Sequence, residues 1–112
     1  MPESAGWREE LVKLKQEYAA QLGTRLRSIE DAALALRETW DADRVESLYQ
    51  QVHRLAGSAA IYGFEELGGA AHALEAALLD SMEHRPGARS RLQEELARLL
   101  KELHRAARES PG

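Results

Sequence analysis

The chain has 112 residues, no cysteine, 44% hydrophobic and 30% charged content, and 15 basic against 19 acidic side chains, a formal charge of −4. One small domain fits that length and two do not, and such a chain buries roughly 65% of the surface its unfolded form exposes, enough for one modest core. The absence of cysteine excludes a disulfide framework and thiolate metal sites, a pI near 5.6 with interspersed charges argues against a nucleic-acid binder, and no apolar run approaches the ~20 residues of a membrane span.

The charged start with Pro2 does not read as a signal peptide, and a cysteine-free chain suits a reducing compartment, so a cytoplasmic protein is expected. Prolines stand only at Pro2, Pro86 and Pro111, which leaves long stretches free of helix breakers. In the first stretch Leu11, Leu14, Tyr18, Leu22, Leu26, Ile29, Ala33, Leu36 and Trp40 recur in steps of three and four, the mark of one apolar helix face. Gly23 falls inside this stripe without shifting its phase, so a single helix is predicted over residues 7–38. A second helix, over 43–62, is capped by Asp41 or Asp43 and presents Val45, Leu48, Val52, Leu55 and Ala59 inward.

A third helix, over 64–82, opens on Phe64, Glu65 and Glu66, whose carboxylates suit the positive end of the helix dipole. Its stripe is Leu67, Ala70, Ala71, Leu74, Leu78 and Met82. Pro86 and Gly87 break the chain before a fourth helix over 88–108, with Leu92, Leu96, Leu99, Leu103 and Ala106 inward. Ser110, Pro111 and Gly112 end the chain, and both termini are expected to fray. Four amphipathic helices on short loops make an all-α, antiparallel up-and-down four-helix bundle, because short connections place sequential helices side by side.

His53 lies on the second helix off the buried stripe, and the residue one turn on is Gly57, so nothing stands above the imidazole. Glycine within a helix costs about 0.5–1 kcal/mol. Two reasons can justify it here: room for something large to reach the ring, or close packing of a neighbouring helix. If the second and third helices turn about Phe64, eleven residues to either side place His53 level with Glu75, and the same counting sets Ala56 level with His72. His72 and Glu75 share a helix face, so both border the ring. A carboxylate that accepts a hydrogen bond from one imidazole nitrogen fixes the tautomer and leaves the other nitrogen as nucleophile. Glu75 is the candidate for that role.

The run from His53 through Arg54, Leu55, Ala56, Gly57 and Ser58 to Gly63 and Phe64 resembles the signature of histidine-containing phosphotransfer (HPt) domains, His-x-Leu-Lys-Gly-Ser with a second glycine a few residues on. The likeness is sharpest over residues 45–80. It departs at Ala56, where the family commonly carries a lysine thought to help hold the phosphoryl group. Residues 59–64, with His72 and Glu75, are also similar to the phosphotransfer domain of the chemotaxis histidine kinase. The resemblance implies a phosphorelay intermediate of a two-component system. His53 would take a phosphoryl group from the aspartyl phosphate of a receiver domain and pass it to another receiver.

Gln50, Arg54, Ala56, Gly57 and Ala60 are then the expected docking surface. No cofactor is expected on the chain itself, since Mg²⁺ would come with the receiver. An ATP site does not fit in four such helices, so kinase activity is not expected. The chain is expected to be monomeric, with receivers and a hybrid sensor histidine kinase as partners. Met1 favours a free-standing protein, and the accepting module of a larger hybrid kinase is the variant reading.

Elsewhere the histidine spacings match no zinc or haem signature, so no metal site is expected. His84 and His104 are assigned to solvent, as are the paired glutamates at 9–10, 65–66 and 94–95. The competing reading is a helical adaptor with an incidental histidine, which would bind a partner through Trp7, Trp40 or Tyr62 if these were exposed.

Overall fold

A computed structural model describes residues 2–109, with side chains from residue 6 onward. The expected fraying falls partly on Met1 and residues 110–112, which lie outside the described residues. Four helices follow in order: α1 (Pro2–Glu38), α2 (Ala42–Ile61), α3 (Glu65–Met82) and α4 (Ala88–Glu109). They form an antiparallel bundle in which each helix packs on its neighbour in sequence and α4 closes back on α1.

The junctions are built from local chemistry. Asp41 has extended backbone and its carboxylate accepts from the Arg44 backbone N–H at 2.8 Å, satisfying one of the orphan donors of α2. At the far end Gly63 takes φ +80°, the left-handed conformation that glycine adopts without penalty, and the Phe64 N–H reaches back to the Ala59 carbonyl at 2.8 Å. This drops Phe64, 2% exposed, into the core as the hinge between α2 and α3.

The core is aliphatic. Ile29, Leu36, Leu48, Leu55, Leu67, Leu74, Leu78, Leu92, Leu96 and Leu103 are fully buried, and no polar or charged residue is buried among the described residues. The stripe on α1 reaches the core only from Tyr18 onward. Leu11 and Leu14, expected to face inward, are 38% and 45% exposed, alongside Trp7 at 67% and Val12 at 53%. The reason is length: at 1.5 Å per residue α1 runs about 55 Å, far longer than its partners, and the molecule measures 57 by 23 by 22 Å. The bundle stops at the α2–α3 turn, where Tyr18 stacks on Tyr62 (4.6 Å between centroids, 22° between planes) and Lys15 reaches Gly63. Beyond that level the first turns of α1 have no helix to pack against. Helical spacing records which face is apolar, and it carries no information on whether a partner extends far enough to cover it.

Candidate functional site

His53 and Glu75 come together across the α2–α3 seam: the His53 Nδ1–H donates to Glu75 Oε2. The other carboxylate oxygen, Oε1, accepts from His72 Nδ1 at 3.0 Å. One carboxylate therefore serves two imidazoles. Glu75 is largely covered, its side chain 13% exposed, whereas the His53 and His72 side chains are 61% and 67% exposed. With Nδ1 engaged, Nε2 of His53 is left with a lone pair turned away from Glu75. Helical side chains lean toward the N-terminus, and Tyr49, one turn before His53, sets its ring 5.7 Å from the imidazole. The ring is thus confined by Tyr49 on one side and Glu75 on another.

The glycines divide the two meanings that sequence left open. A Cβ built on Gly57 would meet nothing within 4 Å, so Gly57 is bare surface beside His53 and packs no helix. Close packing belongs to Gly68 on α3: a Cβ there would sit 3.9 Å from the Ala56 carbonyl oxygen, the Ala59 Cβ and the Ala60 backbone nitrogen. That approach buries Ala56, 1% exposed, in the seam. Ala56 was expected on the docking surface and is not there, because the phase of α2 that presents His53 and Gly57 outward turns residue 56 toward α3. Gln50, Arg54, Gly57 and Ala60 do lie exposed on the face around His53.

Ser58 is a residue whose part sequence reasoning missed. Its hydroxyl lies 2.7 Å from the Tyr18 hydroxyl, receives a bond from the Arg25 guanidinium at 3.3 Å, and donates to the Leu55 carbonyl at 3.2 Å. Arg25 also stands over the Tyr18 ring, 5.3 Å from its centroid. Ser58 therefore ties α2 to α1 directly behind the site. A polar residue at the edge of an apolar stripe was the available signal.

The remaining histidines are elsewhere. His84 is exposed in the α3–α4 loop with φ +56°. His104, assigned to solvent, is instead half-buried beside α1, with Nε2 3.6 Å from Glu30 Oε2, because the α1–α4 groove admits its ring. Trp40 is half-buried under the Arg89 guanidinium, 5.2 Å from the ring centroid, and Tyr62 is half-buried on Tyr18, so of the three aromatics considered for an adaptor surface only Trp7 is exposed. Among the described residues no three His, Cys, Asp or Glu side chains gather in a way that would hold a metal ion.

Compared with known protein families, residues 13–109 match the model described as Hpt domain. The chain belongs to the Hpt domain family. The match takes in α1 from residue 13 onward and all of α2, α3 and α4, and includes His53, Glu75 and the whole α2–α3 seam. Hpt domains are helical bundles that carry out histidine phosphotransfer in two-component phosphorelays, acting with receiver domains and histidine kinases and lacking a kinase's ATP site. No curated protein and no solved structure matches this Hpt domain. None of its described helices is long and apolar enough to cross a membrane.

Proposed function

We propose that His53 is the phosphoryl-accepting residue, loaded from an aspartyl phosphate on a receiver domain and unloaded onto another receiver. The observation that carries this reading is an exposed imidazole with Nδ1 held by a covered carboxylate and Nε2 without a hydrogen bond, one helical turn before the bare Gly57. In the transfer, the Nε2 lone pair attacks phosphorus, an N–P bond forms, and the P–O bond to the aspartyl carboxyl breaks with its electron pair leaving on the carboxylate. The ring becomes a phosphoimidazolium whose Nδ1 proton rests against Glu75, so the developing positive charge meets a negative group already in place. Glu75 orients the ring and selects the tautomer, and His72 holds the second oxygen of Glu75.

Phosphoryl transfer asks mainly for positioning and charge neutralisation. Mg²⁺ held by the receiver would supply much of the latter. Gln50, Arg54, Gly57 and Ala60 form the ground on which the receiver settles. A transient contact of this kind buries on the order of 1,200 Å² or less. The chain acts in the cytoplasm as a monomer, and whether it stands alone or within a hybrid kinase changes its donor and leaves this chemistry unaltered.

The test is incubation of the protein and its His53→Gln variant with a panel of receivers phosphorylated by a small phosphodonor, followed by intact-mass measurement at neutral pH. Wild type should gain one phosphate, labile to acid and to hydroxylamine, and the variant none. Phosphate gained by a folded His53→Gln protein would sink the assignment.

A further inference from the structure

Glu75 treats two imidazoles alike, yet their surroundings differ in charge. His72 stands on α3, whose charged residues are Glu65, Glu66, Glu75 and Asp80, with no lysine or arginine among them. Arg105, which α4 brings to the start of α3, is shared among Glu66, Glu102 and Glu109. His53 stands beside Arg54, and its nearest acidic neighbour along α2, Glu46, is two turns away, about a screening length in physiological salt. The Arg54 side chain is exposed and makes no hydrogen bond or ion pair with any described residue. The other arginine of the adjoining α1–α2 groove, Arg25, is committed to Ser58 and the Tyr18 ring. Gly57 lies between His53 and Arg54 in helical phase, one turn on, and offers no side chain to separate them.

Resting on the assignment of His53 as acceptor, we propose that Arg54 is the residue of this chain that binds the phosphoryl group on His53, its guanidinium crossing the bare backbone at Gly57 to reach the phosphoryl oxygens. Transfer delivers two negative charges to Nε2 and only one positive charge to the ring. A planar guanidinium with several N–H donors pairs with phosphoryl oxygens through charge-assisted hydrogen bonds. The same charge separates the two imidazoles that Glu75 shares: a phosphoryl group on His53 meets a cation, and one on His72 would sit on a helix that offers it only carboxylates.

The experiment omits receivers, so that partner contacts do not enter. Wild type, Arg54→Gln and Arg54→Lys are phosphorylated with phosphoramidate, the modified histidine is located by fragmentation, and the phosphoryl group is titrated by ³¹P NMR. Wild type should carry phosphate on His53. Arg54→Gln should load about tenfold more slowly, an effect smaller than that of losing a buried oxyanion donor because the site is open to salt. Its ³¹P titration midpoint should move to higher pH, since the dianion has lost its cation. Arg54→Lys, which keeps the charge, should stay near wild type in both. Equal loading and an unmoved midpoint in Arg54→Gln would overturn the proposal. Phosphate on no histidine, or on His72 alone, would overturn the choice of His53 itself and is told apart from the other outcomes by the wild-type protein.

Discussion

The two outer seams of the bundle use small residues to opposite ends. Between α2 and α3, Gly68 faces Ala56, Ala59 and Ala60, and the helices lie so close that a single added Cβ would already be in van der Waals contact. Between α1 and α4, Ala19, Gly23 and Ala107 are equally small, yet no backbone moves in, and they line an open groove of about 630 Å³ that reaches Phe64. The closed seam carries the proposed chemistry. It holds Glu75 at a fixed depth beneath His53, and a carboxylate that must meet Nδ1 of a residue on another helix tolerates little play. The open seam holds nothing to such tolerance. A glycine in a helix is therefore informative only together with what stands opposite it.

The same substitution at both seams should expose this difference most strongly. Gly68→Leu would drive a branched side chain into α2, where even a Cβ is at contact distance, and should cost about 1–3 kcal/mol or more in urea unfolding, with slowed phosphate loading as Glu75 is pushed away. Gly23→Leu places the same atoms in open space and should leave loading unchanged. Equal losses at the two positions would erase the distinction. A finer cut comes from alanine. Gly57→Ala and Gly23→Ala both meet nothing within 4 Å and should each stabilise the fold by about 0.5–1 kcal/mol. Only Gly57→Ala should slow transfer from a receiver, because only there does the vacancy lie on the proposed docking face.

Smaller effects test the regions that belong to neither seam. Leu14→Ala, on the uncovered stretch of α1, should change stability by no more than about 0.5 kcal/mol, as expected of a surface site. A loss of several kcal/mol would mean that this stretch is covered in solution. The least effect is expected on α4, where the hydrogen bond from Arg105 holds the Glu102 carboxyl below its ordinary range. A depressed carboxyl stabilises the fold above its unfolded pKa, and that contribution disappears as pH falls through the folded value. Wild type and Glu102→Gln should thus differ slightly near neutrality and converge in acid, as read by thermal melts across pH.

Much of this architecture is legible in the residues themselves. Steps of three and four mark the helices, Asp41 and Gly63 punctuate them, and counting outward from Phe64 sets His53 level with Glu75, because antiparallel helices advance at one rate. What escapes is whatever depends on the neighbour. Leu11 and Leu14 read as core since their face is continuous with Tyr18, and the shortness of the opposing helices is not written at those positions. Ala56 reads as surface because it adjoins Gly57, although 100° of helical phase is enough to bury it. Ser58 reads as part of a motif, while the Tyr18 and Arg25 groups that it binds are 40 and 33 residues away.

The divided loyalty of Glu75 has one more consequence. A covered carboxylate stripped of its sole donor would be stranded at a cost of about 1–3 kcal/mol or more, but here each imidazole insures the other. Replacing His53 leaves His72 in place and replacing His72 leaves His53, so either exchange alone is cushioned. Removing both should cost more than the two single changes together. The histidine most useful to replace in the laboratory is thus one that the fold can spare.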